Sequence, residues 1–390
     1  MERKSNVLSI IVSIILAVSL FLGGGRAVTT ETTVPEPIVS SEDPLLSSLQ
    51  EIPAAGFDGV FSYVNLDAMF DSIPGLTKPA PDSKLAADSQ DMKDAVRVLY
   101  RISAGPSTFR QVFNYLSETD EINGFYPLAV SQLIEVNLPP QQQMWLRGSF
   151  SPDKLKTALA RQNYEALEKD GNDYAVYAPD GDPEGGRNMD LSNRDPGFLF
   201  GGMLGQRWPV IFNDSVIGAS PDGRIIRAAE GAATLSSRPD LVDLLNAARL
   251  LYGDVTPAQV YAMPAELALD IEIMPLTLSR FALVSYYEDG NEYVLILLNT
   301  RTEDAANALA AQINANLKDA VLKSSGRTLT DALENWDAAA LDVEIAQGEN
   351  GSYTVALPFR FAERDEDVLA SGFGHFVTML MQRDMRWLFE

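Results

Sequence analysis

Several places in the chain carry residue types and spacings that could do chemistry. Ser151-Pro152-Asp153-Lys154 has the S-x-x-K spacing of serine acyl-enzymes, in which a lysine one helical turn away accepts the nucleophile's proton. The S-D-N and K-T-G elements that accompany that motif are absent, and Ser151 also suits a helix cap. Gly218-Ala219-Ser220-Pro221-Asp222 approaches a nucleophile elbow but places Asp222 where the sharp turn needs glycine. His375 is the single histidine, so any Ser-His-Asp triad must use it. Zinc sites draw on several His or Cys residues, and this chain has 1 His and 0 Cys.

Carboxylates offer the other options. Asp180, Asp182 and Glu184 alternate ahead of Gly185, as hard oxygen ligands do in the first half of a calcium loop. The bidentate glutamate of such a loop is replaced by Leu191, so Asp190 or Asp195 would have to substitute; the plain reading is a solvated acidic loop. Asp180, Asp182, Glu184 and Asp190 are therefore the candidate metal ligands, calcium the candidate ion, and no other cofactor motif is present. Gly201-Gly202-x-x-Gly205 lacks the lysine of a phosphate loop. Carboxylate pairs such as Asp365 and Asp367 could serve glycoside hydrolysis, but with 54 acidic residues such pairs arise freely.

The elements that must position these groups are legible. Met144 to Phe150 reads as a partly buried strand, and Ser151-Pro152-Asp153 as the capped start of a helix with Leu155, Ala158 and Leu159 on one face. Tyr164 to Lys169 and Asp173 to Ala178 flank Asp170-Gly171-Asn172, a hairpin signal. A similar run starts at Glu292. EYVLILL is a dense apolar strand, and Thr300 and Glu303 have capping-box spacing. Ala306, Leu309, Ala310 and Ile313 then recur at helical spacing, and a hairpin turns at Gly348-Glu349-Asn350-Gly351. Further strands are expected at Phe57 to Val64, Trp208 to Phe212, Ser215 to Ala219, Gln259 to Met263 and Phe281 to Tyr287. Helices are expected at Met92 to Ile102, Ser107 to Ser117, Pro221 to Ala232, Pro239 to Tyr252 and Asp367 to Trp387. The last is apolar nearly all round, which suits burial against a sheet or a Met- and aromatic-rich contact surface.

Composition narrows the function classes. At 390 residues and 46% hydrophobic, the chain can build its core without staples, and with 0 cysteines it has no disulfide, thiolate nucleophile or lipidated Cys. A net charge of −24 repels nucleic-acid phosphates and anionic lipid heads and favours cationic partners. Arg3 and Lys4 precede an apolar run from Val7 to Leu22, followed by Gly23-Gly24-Gly25-Arg26-Ala27. That is a secretory leader, and with the glycines it approaches the ~20 residues that span a bilayer. Cleavage after Ala27 and retention as an anchor both fit; Arg26, at odds with a cleavage site, favours the anchor. Val28 to Ser40, rich in Thr, Pro and Glu, reads as an extended spacer.

The run MWLRGSFSPDKLKTALARQNYEALEKDGNDYAVYA, with its R-G-x-F strand, NY strand and Y-x-V-Y strand, resembles a module of uncharacterised bacterial extracytoplasmic proteins. FSYVNLDAMFDSIPG, Phe61 to Gly75, resembles the strand-to-helix opening found upstream of it, and the similarity covers Phe57 to Leu250. It implies an exported α+β body and carries no activity or catalytic residue. The expectation is thus an α+β fold of mostly antiparallel sheets with helices on one face, in two related lobes, behind an N-terminal transmembrane or signal helix. The divisions fall at 1–27 (leader), 28–56 (linker and short helix), 57–263 (first lobe) and 264–390 (second lobe). The expected function is a membrane-anchored or secreted extracytoplasmic module that binds protein or stabilises an assembly without catalysis. It would touch the membrane through residues 7–25, have a protein partner and bind no nucleic acid. An exported hydrolase using Ser151 and Lys154 or a carboxylate pair, and a hydrophobic-ligand carrier, are the alternatives.

Overall fold

The fold was obtained as a computed structural model. It describes residues 43–389 apart from 55, 74–75, 81–88, 107–108, 110–118, 139–140, 168–173, 185, 187, 229–232, 254–255, 270–273, 276 and 363–370. The leader and spacer, most of the expected 107–117 helix, the Asp170-Gly171-Asn172 turn, and Asp365 and Asp367 lie outside the described residues. Among those described, no helix is long and apolar enough to cross a membrane.

In chain order, α1 (Pro44–Ser48) leads to β1 (Phe61–Asn65), α2 (Leu66–Asp71), α3 (Gln90–Tyr100), α4 (Thr119–Asn123), β2 (Val130–Val136) and β3 (Gln143–Gly148). Then come α5 (Pro152–Arg161), β4 (Tyr164–Ala166), β5 (Ala175–Pro179), β6 (Val210–Phe212), β7 (Val216–Ala219), α6 (Arg224–Ala228) and α7 (Pro239–Tyr252). The remainder is β8 (Gln259–Pro264), α8 (Ala265–Ala268), β9 (Leu278–Glu288), β10 (Asn291–Thr300), α9 (Glu303–Asn316), α10 (Leu329–Asn335), β11 (Ala338–Ala340), β12 (Glu344–Gln347), β13 (Tyr353–Phe361) and α11 (Gly372–Met381).

Among the described residues, the strands join one 13-stranded sheet in the order β11-β13-β10-β9-β8-β1-β2-β3-β7-β6-β5-β4, with β12 also on β13. Every pairing is antiparallel. The fold is α+β, as the alternation of strand and helix signals implies. The strands on either side of residue 264 are continuous through β8, which pairs with β1 on one side and β9 on the other. The two strand–helix–hairpin units differ in pairing. β13 lies directly against β10, whereas β7 and β6 intervene between β3 and β5.

One face of the sheet carries α2, α3, α5, α9, α10 and α11 over Val64, Leu146, Leu283, Ile296 and Leu357. The other face, bearing Phe61, Tyr63, Trp145, Val284 and Leu295, is covered by α1, α6 and α7. This second layer adds to the expected helical face, and its cause is in the strands. Leu295 and Ile296 on β10 are both fully buried, so both sides of the sheet must be kept from water. Each such side chain contributes roughly 1.5–3 kcal/mol by burial.

Local chemistry fixes the ends of the elements. Pro239 opens α7 and Gly253 closes it with φ 76°, a left-handed value glycine reaches without a Cβ clash. The β9–β10 hairpin turns through Asp289 (φ 48°) and Gly290 (φ 78°). The cap of α9 is Thr302, whose hydroxyl accepts from Ala305 N, rather than the expected Thr300. Thr300 instead continues β10 and donates to the carbonyls of Thr302 and Tyr353. The terminal helix is shorter than expected. It ends at Met381, and a 3-10 turn, Arg386–Leu388, buries Trp387.

Candidate functional site

The residues that could serve catalysis sit on different elements: Ser151 at the start of α5, Ser220 after β7 and His375 on α11. Ser151 sits at the cap position of α5, but its hydroxyl accepts no bond from the helix, so the expected capping bond is absent. Ser151 and Lys154 are both exposed, and no hydrogen bond joins them. Ser220 is fully buried, and its hydroxyl accepts from Ile225 N, tying down the first turn of α6. Its neighbour Asp222 pairs with Arg224. His375, on α11, stacks on the Trp336 ring with centroids 4.4 Å apart and planes 12° apart.

Interior polar groups hold the framework. The Glu292 carboxylate, on β10, accepts from Gly372 N at 2.6 Å and Phe373 N at 3.0 Å, placing negative charge at the positive end of α11. Ser371 caps the same helix by accepting from Gly374 N. Asp243 on α7 receives Asn350 Nδ2 and Ser352 Oγ from the β12–β13 turn. Asp384 receives the amide and hydroxyl of Ser324. At the start of α7, Arg280 is 5% exposed and meets Asp240 at 2.5 Å, while also donating to the Gly59 carbonyl at 2.8 Å. Arg238 adds a second contact to Asp240, and both guanidinium groups lie over the Phe57 ring, at 5.0 Å and 5.6 Å. Burial pushes the Asp240 pKa up, but Arg280 and Arg238 together outweigh it, and the net result lies below the ordinary 3.8.

The R-G-x-F segment finds its explanation here too. Arg147 reaches over to α1 and the turn after it, donating to Ser47 Oγ at 3.2 Å and Glu51 Oε1 at 3.1 Å. Gly148 is pressed against the Ala129 carbonyl oxygen, where a Cβ would overlap. Phe150 packs edge-on to Phe125 at 5.4 Å.

The candidate metal ligands fall in the long loop between β5 and β6, in separate local arrangements. Asp180, with φ 50°, turns to Arg207 at 3.1 Å. Asp182 accepts from Glu184 N. Asp190 caps a 3-10 turn, Leu191–Asn193, accepting from Ser192 N and Oγ and from Asn193 Nδ2. The Ser192 bonds hold its pKa below the ordinary value, so it stays ionised. Asp195 accepts from Gly197 N. Gly185 lies outside the described residues. Among the described residues, no group of three or more His, Asp or Glu gathers in a way that could hold a metal ion.

What the loop does build is a platform with apolar tips. Phe198, Leu199 and Phe200 are buried beneath it, with Phe198 edge-on to both Tyr164 and Phe200. Trp208 is buried with them. Its carbonyl accepts from Tyr164 Oη at 2.8 Å, and its indole donates to Gln206. Asn123 of α4 brackets the segment, donating to the Gly197 carbonyl and accepting from Leu199 N. Gly201 (φ 93°) and Gly205 (φ 65°) turn the chain, and Gly205 packs on the Asp190 carbonyl with no room for a Cβ, so these glycines serve close packing. On this base stand Met189, 65% exposed, Leu191, 69%, and Leu204, 46%. In the sequence the carboxylates of this stretch stand out, but the signal for the platform is its large apolar residues inside an otherwise polar Gly/Pro/Asp-rich loop.

No protein-family model and no curated protein sequence matches the chain. Among solved structures, it is similar to the Treponema protein TP0453 in several crystal forms. Form III gives a TM-score of 0.37 at 7% identity, covering 86% of this chain and 97% of that one. Form IV gives 0.38 at 7%, covering 85% and 96%, and form I gives 0.35 at 8%, covering 85% and 97%. Likenesses at this level carry no argument about function.

Proposed function

We propose that this chain is an extracytoplasmic protein, anchored by or secreted through its apolar N-terminal run, that works by binding another protein rather than by catalysis. The observation that carries the reading is the loop platform. Met189, Leu191 and Leu204 stand in water on a base fixed by buried aromatics and backbone hydrogen bonds. Three large apolar side chains exposed on one loop would be buried by contact with another protein, and that is the role we assign them. The leader, the Thr/Pro/Glu spacer and the −24 charge fit a soluble body held off a membrane. Ser151 and Lys154, exposed and unjoined, give the hydrolase reading little support.

The test is purification of the full chain from its native membrane in mild detergent. A discrete protein travelling with it supports the reading. A chain that migrates alone, together with ester or amide hydrolysis abolished in Ser151→Ala, overturns it.

A further inference from the structure

We infer that Met189 is an oxidation site, and that its conversion to the sulfoxide by a peroxide releases the protein partner; the release rests on the binding reading above, whereas the site does not. The chain has 0 cysteines, so peroxide meets no thiolate and the 11 methionine thioethers are its first targets. Met1 lies outside the described residues. Among the others, Met189 is 65% exposed and Met381 41%. Met203 and Met274 are half-buried. Met69, Met92, Met144, Met263, Met379 and Met385 are buried, none above 9%. Susceptibility follows access, because an oxidant reaches a buried sulfur only when the structure around it opens.

In the reaction the sulfur gives an electron pair to one peroxide oxygen, an S–O bond forms and the O–O bond breaks. The departing hydroxide takes the proton of the new S–OH group, so the thioether is oxidised to the sulfoxide and hydrogen peroxide is reduced to water. A flexible apolar side chain becomes a polar one, and sulfoxide reductases reverse the change, so it can act as a switch. The fold does not depend on this sulfur. The side chain stands in water, and the chain beside it is fixed by Asp190, which accepts from Ser192 N at 3.0 Å and Asn193 Nδ2 at 2.9 Å. What changes is the surface offered to a partner, where burying a polar group without a hydrogen bond is costly.

The first test adds dilute hydrogen peroxide to the full chain purified in detergent, with peptide mass mapping of each methionine and a melting transition at each time. Met189 is expected to oxidise before Met381 and at least about tenfold faster than Met69, Met144 and Met385, and the melting transition to stay in place once Met189 is converted. Met381 oxidising first, buried methionines keeping pace, or a melting transition that falls in step with Met189 overturns the site. For the release, wild type and Met189→Leu, an apolar replacement of similar volume without sulfur, are each left untreated or oxidised and freed of peroxide. They are then offered to a detergent extract of native membranes lacking the chain. The protein that travels with untreated wild type is expected to be captured by both forms of Met189→Leu and lost from oxidised wild type. Its capture by oxidised wild type, or its loss from either form of Met189→Leu, overturns the release. If untreated wild type captures nothing, the binding reading fails, while the order of oxidation still decides the site.

Discussion

Replacing Asp240 by Asn keeps the side chain's shape and removes the charge that faces Arg280 and Arg238. Breaking a fully buried pair costs about 3–5 kcal/mol, whereas an exposed pair contributes about 0–1 kcal/mol. Here Arg280 is 5% exposed and Asp240 39%, so solvent screens one end of the pair. Asn can still accept one bond from Arg280, and Arg280 keeps the Gly59 carbonyl. The cost near neutral pH is therefore about 2 kcal/mol, between those limits. The pH dependence has a definite sign. Asp240 titrates below 3.8 in the fold, so its contribution is full above 3.8 and disappears as pH falls through the lower folded value. Urea unfolding of wild type and variant, followed across the acid range, should give a gap of about 2 kcal/mol near neutrality that closes below pH 3.8. A variant as stable as wild type at neutral pH, or a gap that persists unchanged in acid, would refute the reasoning.

Three further outcomes can be checked by thermal or urea unfolding. Gly148→Ala forces a Cβ into the Ala129 carbonyl, a backbone atom with no rotamer to yield, and should destabilise by about 1–3 kcal/mol. Ser151→Ala and Ser371→Ala should part company. The first hydroxyl makes no capping bond and its loss should stay within about 0.5 kcal/mol, while the second accepts from Gly374 N and should cost about 1 kcal/mol. Glu292→Gln leaves a backbone N–H of α11 facing an amide instead of a carboxylate, and should destabilise by about 1–3 kcal/mol.

Much of the architecture follows from local pattern. The bounds of α7 are legible because Pro239 and Gly253 punctuate a clear apolar period, and the β9–β10 hairpin because Asp289-Gly290-Asn291 can only be a tight turn. The second helical layer was implicit in EYVLILL, whose unbroken apolar character belongs to a strand buried on both faces. Other features depend on distant partners that no local window contains. Glu292 reaches Gly372, 80 residues on, and Gln259 accepts from the amides of Ser103 and Ala104. The α9 cap shifted from Thr300 to Thr302 because pairing with Tyr353 carries β10 through Thr300. At the candidate site, the glycines and carboxylates were visible, but which of them face each other was not. Asp180 meets Arg207 because the two ends of the loop fold back on each other, whereas Asp190 is taken up by Ser192, only two residues on.

The most direct measurement places a photo-crosslinking residue at position 191 or 204 of the full chain in its native membrane, with position 267 as the control. Leu267 is also an exposed leucine, 43%, but it lies on α8. The account predicts one discrete protein adduct from 191 and from 204 and none from 267. No adduct from 191 or 204, or the same adducts from all three, would contradict it.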